Sequence, residues 1–327
     1  MSKHLPLDPE VRVVLDRMPE QFRPRALFDF DDMPATRQRL TQMLEAAVPR
    51  DPNPAVDTRV VSIPTPDGAS IDLRIHQPAG GSDTTNRPVI YWVHGGGMVI
   101  GSAADDDENL GRYVEATGCV AVSVDYRLAP EHAYPVPQED CYAGLLWVAA
   151  HAEELGIDLT RLVIGGASAG GGLAASLAII ARDRQGPEIQ LQLLFCPMLD
   201  HRNDSASSHE ITNIGIWDQE MNGRGWAALL GDLTDGAVPG SASAAREADL
   251  TGLPAAFIDV GTVEVFRDEA ISYAARLLTS GVQTELHVWP GGFHGYDSFA
   301  PGASISQGTQ DARMAAVRRA FRISEEH

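Results

Sequence analysis

Two rhythms of apolar residues divide this chain. Up to about residue 50 they fall at helical spacing. Val11, Val14, Leu15 and Met18 stand at i, i+3, i+4 and i+7 and predict one amphipathic helix, and Leu40, Met43, Leu44 and Ala47 predict the inner face of a second over Ala35–Ala47. Pro24 and Pro34 break this region, and Asp51-Pro52-Asn53-Pro54 reads as a linker. From Arg59 short apolar runs take over. Arg59–Ile63 and Ile71–His76, joined through Pro64-Thr65-Pro66-Asp67-Gly68, read as a strand pair. Pro88–Val93, Val120–Val124, Leu162–Ile164, Ile189–Phe195, Ala255–Val260 and Thr284–Trp289 read as further, buried strands. Helical patterns lie between them at Asp106–Thr117, Glu139–His151, through Leu173, Leu177, Ile179 and Ile180, and at Asp268–Leu278, with a last one near Thr309–Phe321. Residues 201–240 are polar and irregular apart from a helix expected over Gln219–Leu230. Strands alternating with helices imply an α/β fold, a mainly parallel sheet covered on both faces. Ligands bind such sheets beyond the carboxyl ends of the strands. His94, Ser168, Glu264 and His294 all follow predicted strands there.

The densest chemical signal is Gly166-Ala167-Ser168-Ala169-Gly170, between a strand and a helix. Glycine two places either side of a serine on a tight strand-to-helix turn is the nucleophile-elbow pattern. The alternative is a glycine-rich turn with an incidental serine, so the remaining residues must decide. A serine hydroxyl needs a base, and the base needs a third group to orient it. In the chain order of such hydrolases both follow the serine. His201, His209, His287, His294 and His327 qualify by position. Only His294, in Pro290-Gly291-Gly292-Phe293-His294-Gly295-Tyr296, occupies a loop directly after the last strand. For the acid, Glu264 and Asp268 both follow the preceding strand. Glu264 lies in the loop and is preferred, whereas Asp268-Glu269 has the character of a helix first turn, where carboxylates complement the dipole. His94-Gly95-Gly96-Gly97 completes the set, because consecutive glycines let backbone amides approach a substrate oxygen. A phosphate-gripping loop would need a lysine and a spacing that are absent.

Composition narrows the partners. Lys and Arg number 25 against 45 Asp and Glu, a net charge of −20, which argues against nucleic acid or an anionic membrane. Cys119, Cys141 and Cys196 lack metal-type spacing and sit in or beside apolar stretches, so buried free thiols are expected. No run approaches the ~18 apolar residues of a membrane span, and the first residues hold no signal-type apolar region. The expectation is a soluble, cytoplasmic protein.

The HGGG box, DYRLAPEHAYP at Asp125–Pro135, the elbow, CPMLD at Cys196–Asp200, FRDE at Phe266–Glu269 and LDPEVRVVLDRM at Leu7–Met18 together resemble the hormone-sensitive-lipase-like (bacterial family IV) esterases. The resemblance implies an α/β-hydrolase with an eight-stranded, mainly parallel sheet flanked by helices. It makes Ser168 the nucleophile, His294 the base and Glu264 the acid, with the amides of Gly96, Gly97 and Ala169 as oxyanion hole. It divides the chain into a catalytic core at 55–200 and 240–327 and a helical cap at 1–50 and 201–235, with Met98, Trp217 and Met221 lining the substrate pocket. Trp217, Met221 and Trp226 read first as plain cap core, and as pocket lining second. Three positions depart from the family pattern: Ala167 replaces Asp or Thr, Glu264 replaces the commoner Asp, and Met98 stands where an aromatic is usual. The implied activity is hydrolysis of short- to medium-chain acyl esters through an acyl-enzyme, with no metal or organic cofactor and with homodimerisation possible. An amidase or lactonase would use the same residues. A non-catalytic small-ligand receptor of the same fold would be expected to lack the base.

Overall fold

The computed structural model describes residues 5–18, 28–47, 53–80, 85–212, 214, 216–233, 236 and 238–323. Pro24, Asp51, Pro52 and His327 fall outside them, as do the side chains of Leu44 and Ala47. Among the described residues no helix is long and apolar enough to cross a membrane.

One eight-stranded sheet organises the chain. Its strands are β1 (Val56–Pro64), β2 (Ser70–Pro78), β3 (Arg87–Val93), β4 (Val120–Asp125), β5 (Ile157–Ala167), β6 (Leu191–Phe195), β7 (Ala255–Val263) and β8 (Thr284–Phe293), in the spatial order β1-β2-β4-β3-β5-β6-β7-β8. Only β2 runs against the rest. The central strands β3, β5 and β6 carry apolar runs because helices cover both faces. Val89, Ile90, Leu162, Val163, Ile164, Leu193 and Leu194 are wholly buried. Edge strand β1 buries only Ile63 fully.

The helices are α1 (Pro9–Arg17), α2 (Met33–Ala47), α3 (Asp107–Thr117), α4 (Val136–Ala150), the short α5 (Ala152–Leu155), α6 (Ala169–Asp183), the short α7 (Ala206–Glu210), α8 (Gln219–Leu230), α9 (Arg267–Thr279), the short α10 (Tyr296–Phe299) and α11 (Ser304–Ala320). Helix α6 is buried from Ala169 to Ala181. It approaches the sheet so closely that a Cβ on Gly170 would stand 2.0 Å from the Val93 carbonyl oxygen.

Two strands outrun the sequence reading. Gly261, Gly291 and Gly292 look like stop signals, yet β7 continues to Val263 and β8 to Phe293 across a register irregularity between Gly261 and Val263. Glycine inside a strand marks such bulges and close backbone approaches. Helix α1 keeps the predicted face, with Val11 buried and Val14, Leu15 and Met18 half-buried. In helix α2, Leu40 and Met43 are half-buried on the predicted face, which the buried Met33 and Thr36 extend toward the helix start at three- and four-residue spacing.

Neither N-terminal helix joins the sheet. The Asp8 carboxylate caps α1 by accepting from the Glu10 amide at 2.8 Å, and the Asp8 amide donates to the Gly291 carbonyl at 3.1 Å. Val11 packs with Phe293 and Tyr296, the residues flanking the His294-Gly295 turn. Helix α2 is held through Arg37, whose guanidinium donates to the Val99 and Ala129 carbonyls at 2.7 Å each and to both oxygens of Glu131 at 2.8 Å. The N-terminal segment also touches the 201–233 segment. Phe28 meets Trp217 edge-on at 5.9 Å, and the Arg224 guanidinium lies 5.6 Å from the Phe30 ring centre.

Candidate active site

Each parallel strand from β5 to β8 hands its next residue to one end of the sheet. These are Ser168 after β5, Cys196 after β6, Glu264 after β7 and His294 after β8. Adjacent strands lie about 4.8 Å apart, so sheet hydrogen bonding alone brings residues more than a hundred positions apart into one row.

Ser168 sits at φ 57°, ψ −121°, a strained conformation for a side-chain-bearing residue. Such strain costs on the order of 1–3 kcal/mol and persists where the surroundings fix it. Here the Ser168 amide donates to the Phe195 carbonyl at 2.8 Å and its carbonyl accepts from the amides of Gly172 and Met198 at 3.0 Å each. Ala169 opens α6, so its amide has no partner within the helix.

The imidazole of His294 meets the Glu264 carboxylate, Nδ1 to Oε2, at 2.8 Å. The other carboxylate oxygen accepts from the Phe266 amide at 3.3 Å, and the Phe266 ring stands edge-on to the imidazole at 5.4 Å. Glu264 is 1% exposed. Burial alone would lower the His294 pKa. The Glu264 carboxylate and the Cys196 thiol beside it more than offset that, so the imidazole stands well above its ordinary value.

The neighbouring carboxylates are otherwise engaged. Asp268 accepts from the Ser207 amide at 2.8 Å and from Arg267 Nε at 2.7 Å, contacts that hold its pKa below the usual value although burial opposes them. Glu269 stands with Asp268 in the first turn of α9, as the sequence pattern indicates, and is buried. It accepts from the amides of Leu199 at 2.7 Å and Asp200 at 3.3 Å, and burial pushes its pKa far up.

The glycine loop after β3 folds on itself, the amides of Val99 and Ile100 donating to the Gly96 carbonyl at 3.1 and 3.0 Å. Gly97 has φ +60°, and a Cβ there would lie 2.4 Å from the Trp217 ring. Trp217 therefore rests on this loop. Met98 is buried at φ 64°, its carbonyl accepting from the Ala129 amide at 2.9 Å. His94 is buried behind the loop, stacked on Tyr126 at 4.1 Å, and Tyr126 donates its hydroxyl proton to the His94 carbonyl at 3.0 Å. Met221 and Trp226 are buried in α8.

Sequence reasoning missed two features. Cys196 is half-buried rather than fully buried like Cys119 and Cys141, and a ligand-type atom of each of Cys196, Glu264 and His294 falls within 4.8 Å of the others. The available signal was CPMLD placed directly after a predicted strand. Arg37 gave no local signal, since its partners lie 62 and more positions away.

Residues 90–298 match the α/β hydrolase fold family. The chain is 35% identical over 295 residues to esterase LipI of Mycobacterium tuberculosis, covering 90% of this chain and 89% of that one. It is 33% identical over 318 residues to carboxylesterase NlhH of the same organism, covering 96% of each. Among solved structures, a bacterial heroin esterase superposes with a TM-score of 0.88 at 36% identity over 97% of this chain and 98% of that one. With its strand order, its elbow and its residues at the strand ends, the chain belongs to the α/β-hydrolase fold family, in the hormone-sensitive-lipase-like (bacterial family IV) esterase branch.

Proposed function

We propose that this protein, a carboxylic ester hydrolase, cleaves short- to medium-chain acyl esters in two steps, with Ser168 as nucleophile, His294 as general base and Glu264 as its orienting acid. Ser168 Oγ attacks the ester carbonyl while the imidazole takes its proton. The amides of Gly96, Gly97 and Ala169 hold the oxyanion, and each such donor is worth roughly 2.7–4 kcal/mol in the transition state. His294 then protonates the departing alcohol. Water repeats the sequence on the acyl-enzyme. Glu264 keeps the proton on Nδ1 and stabilises the imidazolium. The observation that carries this reading is the 2.8 Å contact between His294 Nδ1 and Glu264, made by residues directly following β8 and β7, at the same sheet end where the residue following β5 is a serine held at φ 57°.

Residues 1–50 and 201–235 are assigned to a cap, with Met98, Trp217 and Met221 lining the acyl pocket. The contact of Trp217 with Gly97 supports this, as does that of Phe28 with Trp217. A cytoplasmic location is supported by three free cysteines, the state a reducing compartment maintains. Homodimerisation rests on family resemblance alone.

The test is hydrolysis of p-nitrophenyl esters from acetate to palmitate, with Ser168→Ala as blank and an anilide and a lactone run in parallel. Turnover is expected to peak at short to medium chains and to fall by about 10⁴–10⁶-fold in the variant. Preference for the anilide or lactone would reassign the substrate class. No turnover from folded protein would favour a ligand receptor.

A further inference from the structure

Of the side chains at the ends of β5 to β8, the reaction above employs Ser168, Glu264 and His294 and leaves Cys196 without a task. Its position is fixed. The Cys196 amide donates to the Asp259 carbonyl at 2.7 Å, and β6 lies between the strand that carries Ser168 and the strand that carries Glu264. One ligand-type atom from each of Cys196, Glu264 and His294 falls within 4.8 Å of the others. Thiolate, imidazole and carboxylate are the donors zinc takes, at about 2.3, 2.0 and 2.1 Å. Ligands around one tetrahedral ion then stand roughly 3.5 Å apart, so rotamer adjustments of about an ångström close the set. Three protein ligands leave the fourth position to water. Glu264, buried beside the imidazole, supplies the negative charge that a desolvated cation requires.

We propose that Cys196, Glu264 and His294 form an inhibitory site for a thiophilic divalent cation, zinc or cadmium. The proposal rests on the esterase reading, because inhibition acts through the base assigned there. On binding, the Cys196 thiol loses its proton to solvent as the sulfur–metal bond forms. A ring nitrogen of His294 gives its lone pair to the ion, which displaces a proton to solvent if that nitrogen carried one. Nothing is oxidised or reduced. The metal-bound imidazole is pinned away from its proton-transfer role and Ser168 is left without a base.

Two measurements test this on the full chain in chelator-free buffer. Cadmium titration should give the ultraviolet charge-transfer band of a cadmium–thiolate bond at one ion per chain, absent in Cys196→Ala and Cys196→Ser. Zinc should inhibit p-nitrophenyl butyrate hydrolysis reversibly, with activity restored by chelator. Both variants should keep turnover, while the inhibitory zinc concentration rises at least about tenfold, since loss of even an outer partner of a metal site typically costs 10–100-fold. A cadmium band that survives in both variants, or zinc inhibition that they leave unchanged, overturns the site. The serine variant guards against a packing defect in the alanine one. If the wild type cleaves no ester, the parent reading fails instead, and the cadmium titration still decides whether the ion binds.

Discussion

The ends of β5 to β8 and the described segments outside the sheet, residues 5–18, 28–47, 201–212 and 216–233, meet over the same glycine loop but are held in different ways. At the strand ends, position follows from backbone hydrogen bonding and burial. Ser168 is fixed through Phe195, Gly172 and Met198, Cys196 through Asp259, and Glu264 through Phe266. Beneath them Arg313 is buried with Asp259 at 2.6 Å and Asp297 at 2.5 Å, and its guanidinium lies 3.8 Å from the Phe195 ring centre. The outer segments rest on a few long side chains: Arg37 on the glycine loop, Phe28 on Trp217, Arg224 on Phe30. Groups that must hold tight geometry during bond-making are kept on rigid elements. Groups that shape the pocket tolerate looser ties.

The sharpest way to break this contrast is to exchange the two carboxylates that follow β7. Glu264→Ala should lower kcat by about 10³–10⁴-fold, the range for loss of an orienting acid. Asp268→Ala should lower stability, because it strands the Ser207 amide and removes one of the two carboxylates on Arg267, and should cost kcat far less. Circular dichroism and steady-state kinetics on both purified variants check this. A folded Asp268→Ala protein with the larger loss would reassign the acid.

That pair also marks how far the sequence could be read. The fold was legible because buried parallel strands are continuous apolar runs and because no residue but glycine fits at positions such as Gly170. The preference for Glu264 over Asp268 came from its place in a loop, and that loop carries its carboxylate to His294. What depended on strand order was not legible. Nothing within CPMLD tells that β6 lies between the strands bearing Ser168 and Glu264, so Cys196 was grouped with the buried thiols.

The second effect is on pH dependence. Activity requires neutral His294, whose pKa is raised, so kcat/KM should climb along a limb above about pH 6.5. Glu264→Gln removes the charge that favours the imidazolium and should move that limb toward lower pH, while the plateau falls. Stability carries the same sign. The imidazolium–carboxylate contact contributes fully below the unfolded histidine value of about 6.5, and its contribution is lost as pH rises through the raised folded value. Denaturant midpoints at several pH values should show this decline in the wild type and a flatter profile in Glu264→Gln. Equal slopes in the two proteins would remove the charge explanation.

The smallest expected effect tests the looser side. Arg37→Ala deletes donors to the Val99 and Ala129 carbonyls and to Glu131. The guanidinium is about one-quarter exposed, so solvent takes over part of what is lost, and a destabilisation of about 1–2 kcal/mol is expected. The kinetic consequence depends on whether Arg37 sets the oxyanion amides or only docks α2. The glycine loop has ties of its own, Val99 and Ile100 to Gly96 and Ala129 to Met98, and these survive the change. The amides should therefore stay in place and kcat should hold. Weaker docking of α2 should raise KM for p-nitrophenyl butyrate about 3–10-fold, the equivalent of roughly 1 kcal/mol. Arg37→Lys should recover little, because a single ammonium cannot serve two carbonyls and a carboxylate in fork geometry. If kcat falls instead and KM is unchanged, Arg37 belongs with the strand ends as a positioning residue of the oxyanion loop, and the division between rigid chemistry and loosely held pocket runs through α2 rather than beside it.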